Sequence, residues 1–351
     1  MRKNKVKVAI WGFGAMGSGI ARLILRKKGF EIVGVCDRNP QFAGKSMYKV
    51  LNMVSPDDSD LLIEPEICQA VCEKSCDVVI LATDSFTAKA APKIKWLLEH
   101  KVNVISTAEE MAYPYVNQPE LVKEMDELAK KNGVTVLGTG INPGMMMDLL
   151  VVTLTGVMED VKKINVSRIN SLSPYGDTVM KEQGVGLTVD EFKEKKAKGE
   201  IAGHVGFRES TGMMIDALGL EIDHFEQQME PIVTACDRQS TYGFAKAGAV
   251  CGINMTAQGY LGSRLVIDMH HPQQIEPQLA GVETGDYIEI EGTPKVSLQI
   301  KPEVDGGHGT IAMCVNMIPH VINAKPGLKT MIDLPVPRAI MGDVREMIEE
   351  N

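Results

Sequence analysis

No stretch of the 351-residue chain approaches the roughly 18–20 uninterrupted apolar residues that a helical bilayer span needs, so a membrane partner is not expected. No run of lysine and arginine offsets the balance of 37 basic against 46 acidic residues. A net charge of −9 repels a phosphate backbone, which removes nucleic acid from the expected partners. The opening MRKNKVKVAIWG is basic and then apolar, but it lacks a long apolar core and a small-residue cleavage site. No secretory signal is expected from it. CxxC, HxH and HExxH spacings are all missing, and with them the signature of a zinc site. Seven cysteines, an odd count without dense pairing, suit a reducing cytoplasm. No linker, internal repeat or low-complexity tract breaks the chain.

What is present is average for a globular protein: 44% hydrophobic and 24% charged residues, a balance that argues against disorder. The length fits two domains at roughly 100–200 residues each. In the first half, apolar runs at Val6–Trp11, Glu31–Cys36, Asp77–Ala82, Val102–Ser106 and Val134–Gly138 alternate with helical patterns. Met16, Ile20, Leu23 and Ile24 form one stripe. Leu121, Met125 and Leu128 form another, between Pro119 in a first turn and Gly133 as a stop. Apolar strands alternating with helices predict a parallel sheet covered on both faces. The segment from Ser46 to Cys76 is less regular.

After Gly138 the pattern changes. Helices are expected at Met145–Thr155, Thr188–Lys198, Phe207–Leu218 and Gly309–Ile322. Strands are expected at Lys163–Ile169, Pro231–Ala235, Val250–Gln258, Arg264–Met269, Tyr287–Glu291 and Lys295–Ile300. The fold class is therefore α/β: a dinucleotide-binding domain over 1–142, then an α+β substrate and oligomerisation domain over 143–351 with a mixed or antiparallel sheet. The tail is free to pack back on the first domain. A homodimer is expected on the general prevalence of symmetric pairs.

The sharpest motif is Gly12-Phe13-Gly14-Ala15-Met16-Gly17, directly after the first strand and opening the first helix. Gly12 permits the tight turn, Gly14 the approach of a pyrophosphate, and Gly17 close helix packing. Free amides and partial positive charge at the helix start suit phosphates. Asp37, about 20 residues beyond the last glycine, ends the second strand where a carboxylate binds ribose hydroxyls. Asp37 alone favours NAD, whereas Arg38 beside it can attract the 2′-phosphate of NADP or point into water. Both cofactors stay open. Later strands end in Ala82-Thr83-Asp84 and in Ser106-Thr107, small and hydroxyl residues able to approach the nicotinamide ribose, although for any single Ser or Thr capping the next helix is the commoner task.

The segments WGFGAMGSGIAR, DVVILATDSF, NVISTAEEMAYP and VLGTGINPGMMMD, with VSRINSLSPYG, DGGHGTIAMCVNMIPHV and AKPGL further on, carry a resemblance over nearly the full length. The chain resembles the dihydrodipicolinate reductase-like group of Rossmann oxidoreductases, and within it looks most like the 2,4-diaminopentanoate dehydrogenases of ornithine fermentation. The resemblance implies oxidative deamination of a diamino acid at C4, giving 2-amino-4-oxopentanoate and ammonia while NAD⁺ or NADP⁺ is reduced. It departs from dihydrodipicolinate reductase itself, which carries a His-His pair followed by lysine. Here His270-His271 is followed by Pro272-Gln273-Gln274, and the reductase's roles do not transfer. A related dehydrogenase acting on another amine, an aldehyde or a cyclic imine, or a non-catalytic NAD(P)-binding sensor, remains an alternative.

Removing hydride from an amine-bearing carbon requires the amine uncharged, hence a base near the nicotinamide. Glu109 and Glu110, just past a central strand, are placed for it. Glu109, nearer the strand end, is the expected acid/base, and both also suit a first helical turn. Arg168 and Asn170, two apart on a strand, share a face, so that an arginine beside an amide can hold a substrate carboxylate; a surface arginine is the plainer reading. Asn142 before Pro143 can bind an amine or cap a helix. His270 and His271 point to opposite sheet faces, so one at most enters a pocket. His204 and His271 are the candidates, or else satisfied structural histidines. Cys68, Cys72 and Cys76 recur every four residues and read as buried thiols along one helical face. The 21 methionines read as adaptable core filler.

Overall fold

The structure is a computed structural model of the chain and describes residues 2–55 and 60–349. Two compact units are distinguished. One comprises residues 1–145, 208–213 and 305–351, and the other residues 146–207 and 214–304.

In the first unit the apolar runs become β1 (Val6–Trp11), β2 (Phe30–Cys36), β3 (Ile63–Glu64), β4 (Val78–Leu81), β5 (Asn103–Ser106) and β6 (Thr135–Gly138). They lie in the order β6-β5-β4-β1-β2-β3, with the strand Gly327–Lys329 outside β6. Every neighbouring pair is parallel. β4 is buried at all four positions, as a sheet covered on both faces requires. The order reverses between β1 and β4, and ligands of such sheets bind at that switch point, outside the carboxyl ends of the strands.

Helix α1 (Ala15–Leu25) buries Gly17, Ile20, Ala21 and Ile24. The stripe is thus rotated from the expected one, and Met16 and Leu23 lie at its partly exposed border. The short α2 (Met47–Val50) and α3 (Ile67–Ala70) follow. Because α3 ends at Ala70, the three cysteines do not share a helical face: Cys68 and Cys72 are exposed and Cys76 is buried. All seven thiols are free. Helices α4 (Thr87–Glu99) and α5 (Pro119–Asn132) complete the alternation. Pro119 opens α5 and Gly133, in the left-handed region at φ 70°, ends it.

The second unit begins with α6 (Leu149–Thr155), shorter than the expected Met145–Thr155 because Asp148 caps it by accepting from Leu149 N–H at 2.7 Å. Its main sheet holds β7 (Asp160–Ser171), β8 (His224–Val233), β11 (Val250–Leu261), β12 (Arg264–Gln274), β13 (Gly285–Thr293) and β14 (Val296–Ile300); β9 (Arg238–Gln239) and β10 (Phe244–Ala245) form a separate ribbon. The order is β14-β13-β7-β12-β11-β8, antiparallel except for β7 with β12. Helices α7 (Asp177–Glu182) and α8 (Val189–Ala197) belong to this unit, and Thr188 starts α8 with a capping box to Glu191. Helix α9 (Phe207–Leu218) is divided: its residues 208–213 group with the first unit.

The cut expected at 142/143 is therefore displaced to 145/146, and the chain changes unit more than once. Residues 305–351 group with the first unit because α10 (Gly306–Asn323) packs along α1 and the Gly327–Lys329 strand extends the parallel sheet. Of the expected strands, Pro231–Ala235 is displaced most. The observed β8 runs from His224 to Val233 along the sheet edge, partly exposed on both faces, so no clean alternation marks it.

Candidate active site

The loop between β1 and α1 is shaped by what its glycines leave out. Gly12 has φ +96°, and a Cβ there would lie 2.3 Å from the Ala82 carbonyl oxygen at the end of β4. Only glycine fits. A Cβ on Gly17 would lie 1.8 Å from the Gly12 carbonyl oxygen, so the helix start is folded tightly onto the loop. Around Gly14 a Cβ would meet nothing within 4 Å. That open face lies at the start of α1, which has no side-chain cap and no acidic residue in its first turn. The arrangement fits a pyrophosphate.

Phe13 contributes through its backbone. Its ring is fully buried, edge-on to Phe42 at 6.4 Å, while its N–H donates to Asp37 Oδ2 at 2.5 Å. Asp37 Oδ1 accepts from Asn39 N–H at 2.7 Å. The carboxylate therefore ties the glycine loop to the end of β2, each oxygen keeping a lone pair for a ribose hydroxyl. Arg38 donates to Glu66 Oε2 at 2.8 Å, and both side chains are largely exposed. Met16 and Ala15 lie in the first turn of α1, with the Met16 terminal methyl beside Gly307 of α10.

At the end of β4, Lys93 donates to Asp84 Oδ2 at 2.6 Å and to Thr83 Oγ1 at 2.8 Å. The ion pair offsets a negative charge that would otherwise face phosphates. Thr107 N–H donates to the Leu81 carbonyl at 3.0 Å, joining the ends of β4 and β5. Ser106 departs from expectation: it is fully buried and its hydroxyl accepts from Ala108 N–H at 3.2 Å. It shapes the turn and presents no hydroxyl to a cofactor.

Glu109 and Glu110 open a 3-10 turn, Glu109–Ala112, at the carboxyl end of β5. Glu110 is engaged by structure, since its Oε2 accepts from Thr87 N–H at 2.8 Å and so closes the start of α4. Glu109 is half-buried. Asn142 lies in the Gly140–Gly144 turn and caps no helix, because the next one starts at Leu149 behind Asp148. Sequence reasoning missed Glu209, which the first turn of α9 places in the first unit, buried, with Asn117 donating to it. An acid in a first helical turn is ordinary, and nothing in the sequence marks this one as buried.

In the second unit the register of β7 with β12 and β13 puts Arg168, Asn170, His271, Gln273 and Asp286 on one face, at the polar end of an otherwise apolar row of Ile164, Val166, Ile267, Met269 and Ile288. All five polar residues are buried. Arg168 is not a free carboxylate clamp: Nη1 donates to Asp286 and Nη2 to the Val304 carbonyl. Nor is it a surface arginine. His271 points inward while His270 is exposed, 3.1 Å from Asp268. The His204 and His271 rings meet edge to face at 4.7 Å. Burial, then the Arg168 charge, pushes the His204 imidazole down to about 3. Burial, then His204, holds His271 well below its ordinary value. Both rings are neutral near pH 7. His271 Nδ1 lies 2.7 Å from the Arg168 carbonyl, whereas His204 Nε2, Asn170 Oδ1 and Gln273 Nε2 are buried without a protein partner. Three unpaired polar atoms in one cluster call for polar company.

Among the described residues no group of three histidine, cysteine, aspartate or glutamate side chains could hold a metal ion, and no helix is long and apolar enough to cross a membrane.

Residues 8–137 match the saccharopine dehydrogenase NADP binding domain, and residues 145–350 match the 2,4-diaminopentanoate dehydrogenase C-terminal domain. The 2,4-diaminopentanoate dehydrogenase of Acetoanaerobium sticklandii is 57% identical over 99% of this chain and 98% of its own. Among solved structures, an amine dehydrogenase from Mycobacterium smegmatis superposes with a TM-score of 0.84 at 25% identity, covering 96% of this chain and 98% of that one. A probable dehydrogenase from Thermotoga maritima shares the fold at a TM-score of 0.56 and 12% identity, covering 93% and 92%. The first unit is thus a Rossmann domain for a nicotinamide dinucleotide, and the protein is an oxidoreductase acting on an amine. With its C-terminal portion matched from 145 to 350 and a relative aligned almost end to end, the chain belongs to the 2,4-diaminopentanoate dehydrogenase family.

Proposed function

We propose that the protein oxidatively deaminates 2,4-diaminopentanoate at C4, yielding 2-amino-4-oxopentanoate, ammonia and NADH or NADPH. The observation that carries this reading is the placement of Glu109 at the carboxyl end of β5, on the sheet edge whose β1–α1 loop, with Asp37, is shaped for a dinucleotide.

Backbone amides of Gly14, Ala15, Met16 and Gly17 would hold the pyrophosphate, Asp37 would hold the adenosine ribose, and Ala82, Thr83, Asp84 and Thr107 would border the nicotinamide ribose. Arg38 can leave Glu66 for a 2′-phosphate. When bound, the cofactor supplies the acceptor for the C4 hydride. Glu109 takes a proton from the C4 ammonium, so that the nitrogen lone pair can form the C=N bond as the hydride departs. Once that proton has passed to solvent, the Glu109 carboxylate takes a second one from the water that adds to the iminium carbon. It returns this proton to the nitrogen, so that C–N cleavage releases ammonia and leaves the ketone. Asn142, Asn170, His204 and His271 are the proposed hydrogen-bonding partners of the substrate's polar groups. The buried unpaired atoms of Asn170 and His204 support their part in this. Arg168, paired with Asp286, fixes the strand that carries Asn170. We place the enzyme in the cytoplasm, in line with its free thiols, acting on a small diamino acid as a homodimer; sedimentation tests the latter.

The test is reduction of NAD⁺ and NADP⁺ followed by absorbance, with 2,4-diaminopentanoate against a panel of amines, amino acids and hydroxy acids. Glu109→Gln keeps the shape but accepts no proton. Turnover is expected to fall on the order of 10²–10⁴-fold with cofactor affinity kept. Near-normal turnover in that variant returns Glu109 to the role of starting the turn.

A further inference from the structure

Lys93 belongs to helix α4, yet its ammonium reaches back to the carboxyl end of β4. Its neighbours on the helix point elsewhere: Lys89 lies over the Phe86 ring at 5.4 Å, and Lys95 pairs with Glu124 at 2.9 Å. Lys93, Asp84 and Thr83 close a triangle in which every side is a hydrogen bond. Lys93 Nζ donates to Asp84 Oδ2 at 2.6 Å and to Thr83 Oγ1 at 2.8 Å, and Thr83 Oγ1 donates to Asp84 Oδ2 at 2.6 Å. With its hydroxyl held there, Thr83 turns its methyl to the glycine loop, where a Cβ on Gly12 would lie 2.8 Å from Thr83 Cγ2. The methyl is thus part of the surface on which the loop rests. The Asp84 side chain is only 14% exposed. Without Lys93 its carboxylate would be a poorly solvated negative charge beside the loop shaped for a pyrophosphate.

We propose that Lys93 is a positioning residue for dinucleotide binding: it neutralises Asp84, so that the carboxylate can orient Thr83 against Gly12 without repelling the pyrophosphate. The inference rests on the reading of Thr83 and Asp84 as part of the cofactor border. Asp84 does the orienting, since a hydroxyl that donates to it keeps the threonine methyl toward Gly12. Lys93 offsets the electrostatic penalty of an acid in that place. The pyrophosphate is common to both dinucleotides, so the effect is blind to the 2′-phosphate, and this separates Lys93 from Arg38. Lys93 is 30% exposed. Solvent therefore screens part of the interaction, and the effect on affinity is moderate and salt-dependent.

The experiment is equilibrium titration of the full chain with NAD⁺ and with NADP⁺, followed by tryptophan emission and without substrate. Trp11 ends β1 just before Gly12, 5.8 Å from Lys93 Nζ and edge-on to Trp96 at 6.3 Å, and these are the two tryptophans of the chain. Lys93→Met keeps the aliphatic stem and removes the charge. Relative to wild type, it is expected to raise Kd for both dinucleotides about tenfold at low salt, and less than about threefold near 0.5 M salt. Adding Asp84→Asn, whose amide oxygen can still accept from Thr83, is expected to return both Kd values to within about threefold of wild type. Lys93→Arg keeps the charge and is expected to bind both nearly as well as wild type. Unchanged binding in Lys93→Met, a loss that salt does not diminish, or a double variant no better than the single one overturns the proposal. So does a loss confined to NADP⁺, or a Lys93→Arg protein as weak as Lys93→Met. A wild type that binds neither dinucleotide would overturn the cofactor border as well, whereas tight wild-type binding that Lys93→Met leaves intact would overturn this proposal alone.

Discussion

Arg168 and Asp286 face each other across β7 and β13 as a registered pair, joined by a guanidinium–carboxylate hydrogen bond with both side chains 3% exposed. The Asp286 Oδ2 also accepts from Val304 N–H at 2.8 Å, so the pair holds the end of the second-unit sheet to the irregular segment that follows β14. A substrate carboxylate reaching for Arg168 would have to displace Asp286, at the cost of leaving a buried charge unpaired.

Breaking this pair is therefore expected to cost fold, not selectivity. Arg168→Ala or Asp286→Ala alone should lose about 3–5 kcal/mol of stability, because each strands the other's charge. The double replacement Arg168→Met with Asp286→Leu should recover most of that loss. Chemical denaturation of the two single variants and the double measures it. A stable Arg168→Ala protein with only a raised KM for the diamino acid would restore the clamp.

The buried histidines make a second, pH-dependent expectation. Both His204 and His271 are depressed, so the unfolded chain binds protons below about pH 6.5 that the folded one refuses. Their contribution to stability is present above that pH and is lost as pH falls toward the folded values, by up to about 1.4 kcal/mol per pH unit for each ring. Melting curves between roughly pH 7 and pH 5 should show His271→Gln less acid-sensitive than wild type. Parallel curves would remove the histidines from the account.

Glu209 carries the opposite sign. Its carboxyl is raised from 4.5 to about 7, so its stabilising share is complete below about pH 4.5 and is lost as pH rises through neutrality. Glu209→Gln should accordingly stabilise the fold at pH 9 by at most roughly 3 kcal/mol, read as a higher Tm, with a much smaller effect at pH 5. Equal Tm values at pH 9 would mean the carboxylate ionises there without penalty.

The cofactor loop gives a fourth. Asp37→Ala removes the acceptor of two backbone N–H groups as well as the ribose partner. It should weaken NAD⁺ and NADP⁺ together, NAD⁺ the more. Arg38→Ala should weaken NADP⁺ selectively, about tenfold or more, since the exposed pair with Glu66 adds little to hold the arginine back. Titration of each variant with both dinucleotides separates the two roles. Equal losses in Arg38→Ala would leave that arginine with Glu66.

Much of the first unit was readable because its signals are local. Val78–Leu81 is apolar throughout because both faces are covered, and Pro119 and Gly133 mark the two ends of α5 by backbone chemistry alone. The glycine loop and Asp37 were readable for the same reason. What escaped depends on distant partners. The spacing of Cys68, Cys72 and Cys76 mimics a helix, but α3 stops after one turn. Arg168 reads as a ligand anchor until register brings Asp286 opposite it. Ser106 offers a hydroxyl in sequence and turns it to Ala108 in space. Glu209 is unremarkable in sequence, and the structure buries it with Asn117 donating to its carboxylate.

The bond from Phe13 N–H to Asp37 has one more effect, on association kinetics. Because the loop is drawn onto β2 by the protein's own carboxylate, its amides are aligned before any nucleotide arrives. The entropy of ordering them is lost once, during folding, and is not charged again at each encounter. Dinucleotide capture is then a docking onto a ready-made surface, with an association rate set by diffusion and orientation rather than by loop closure.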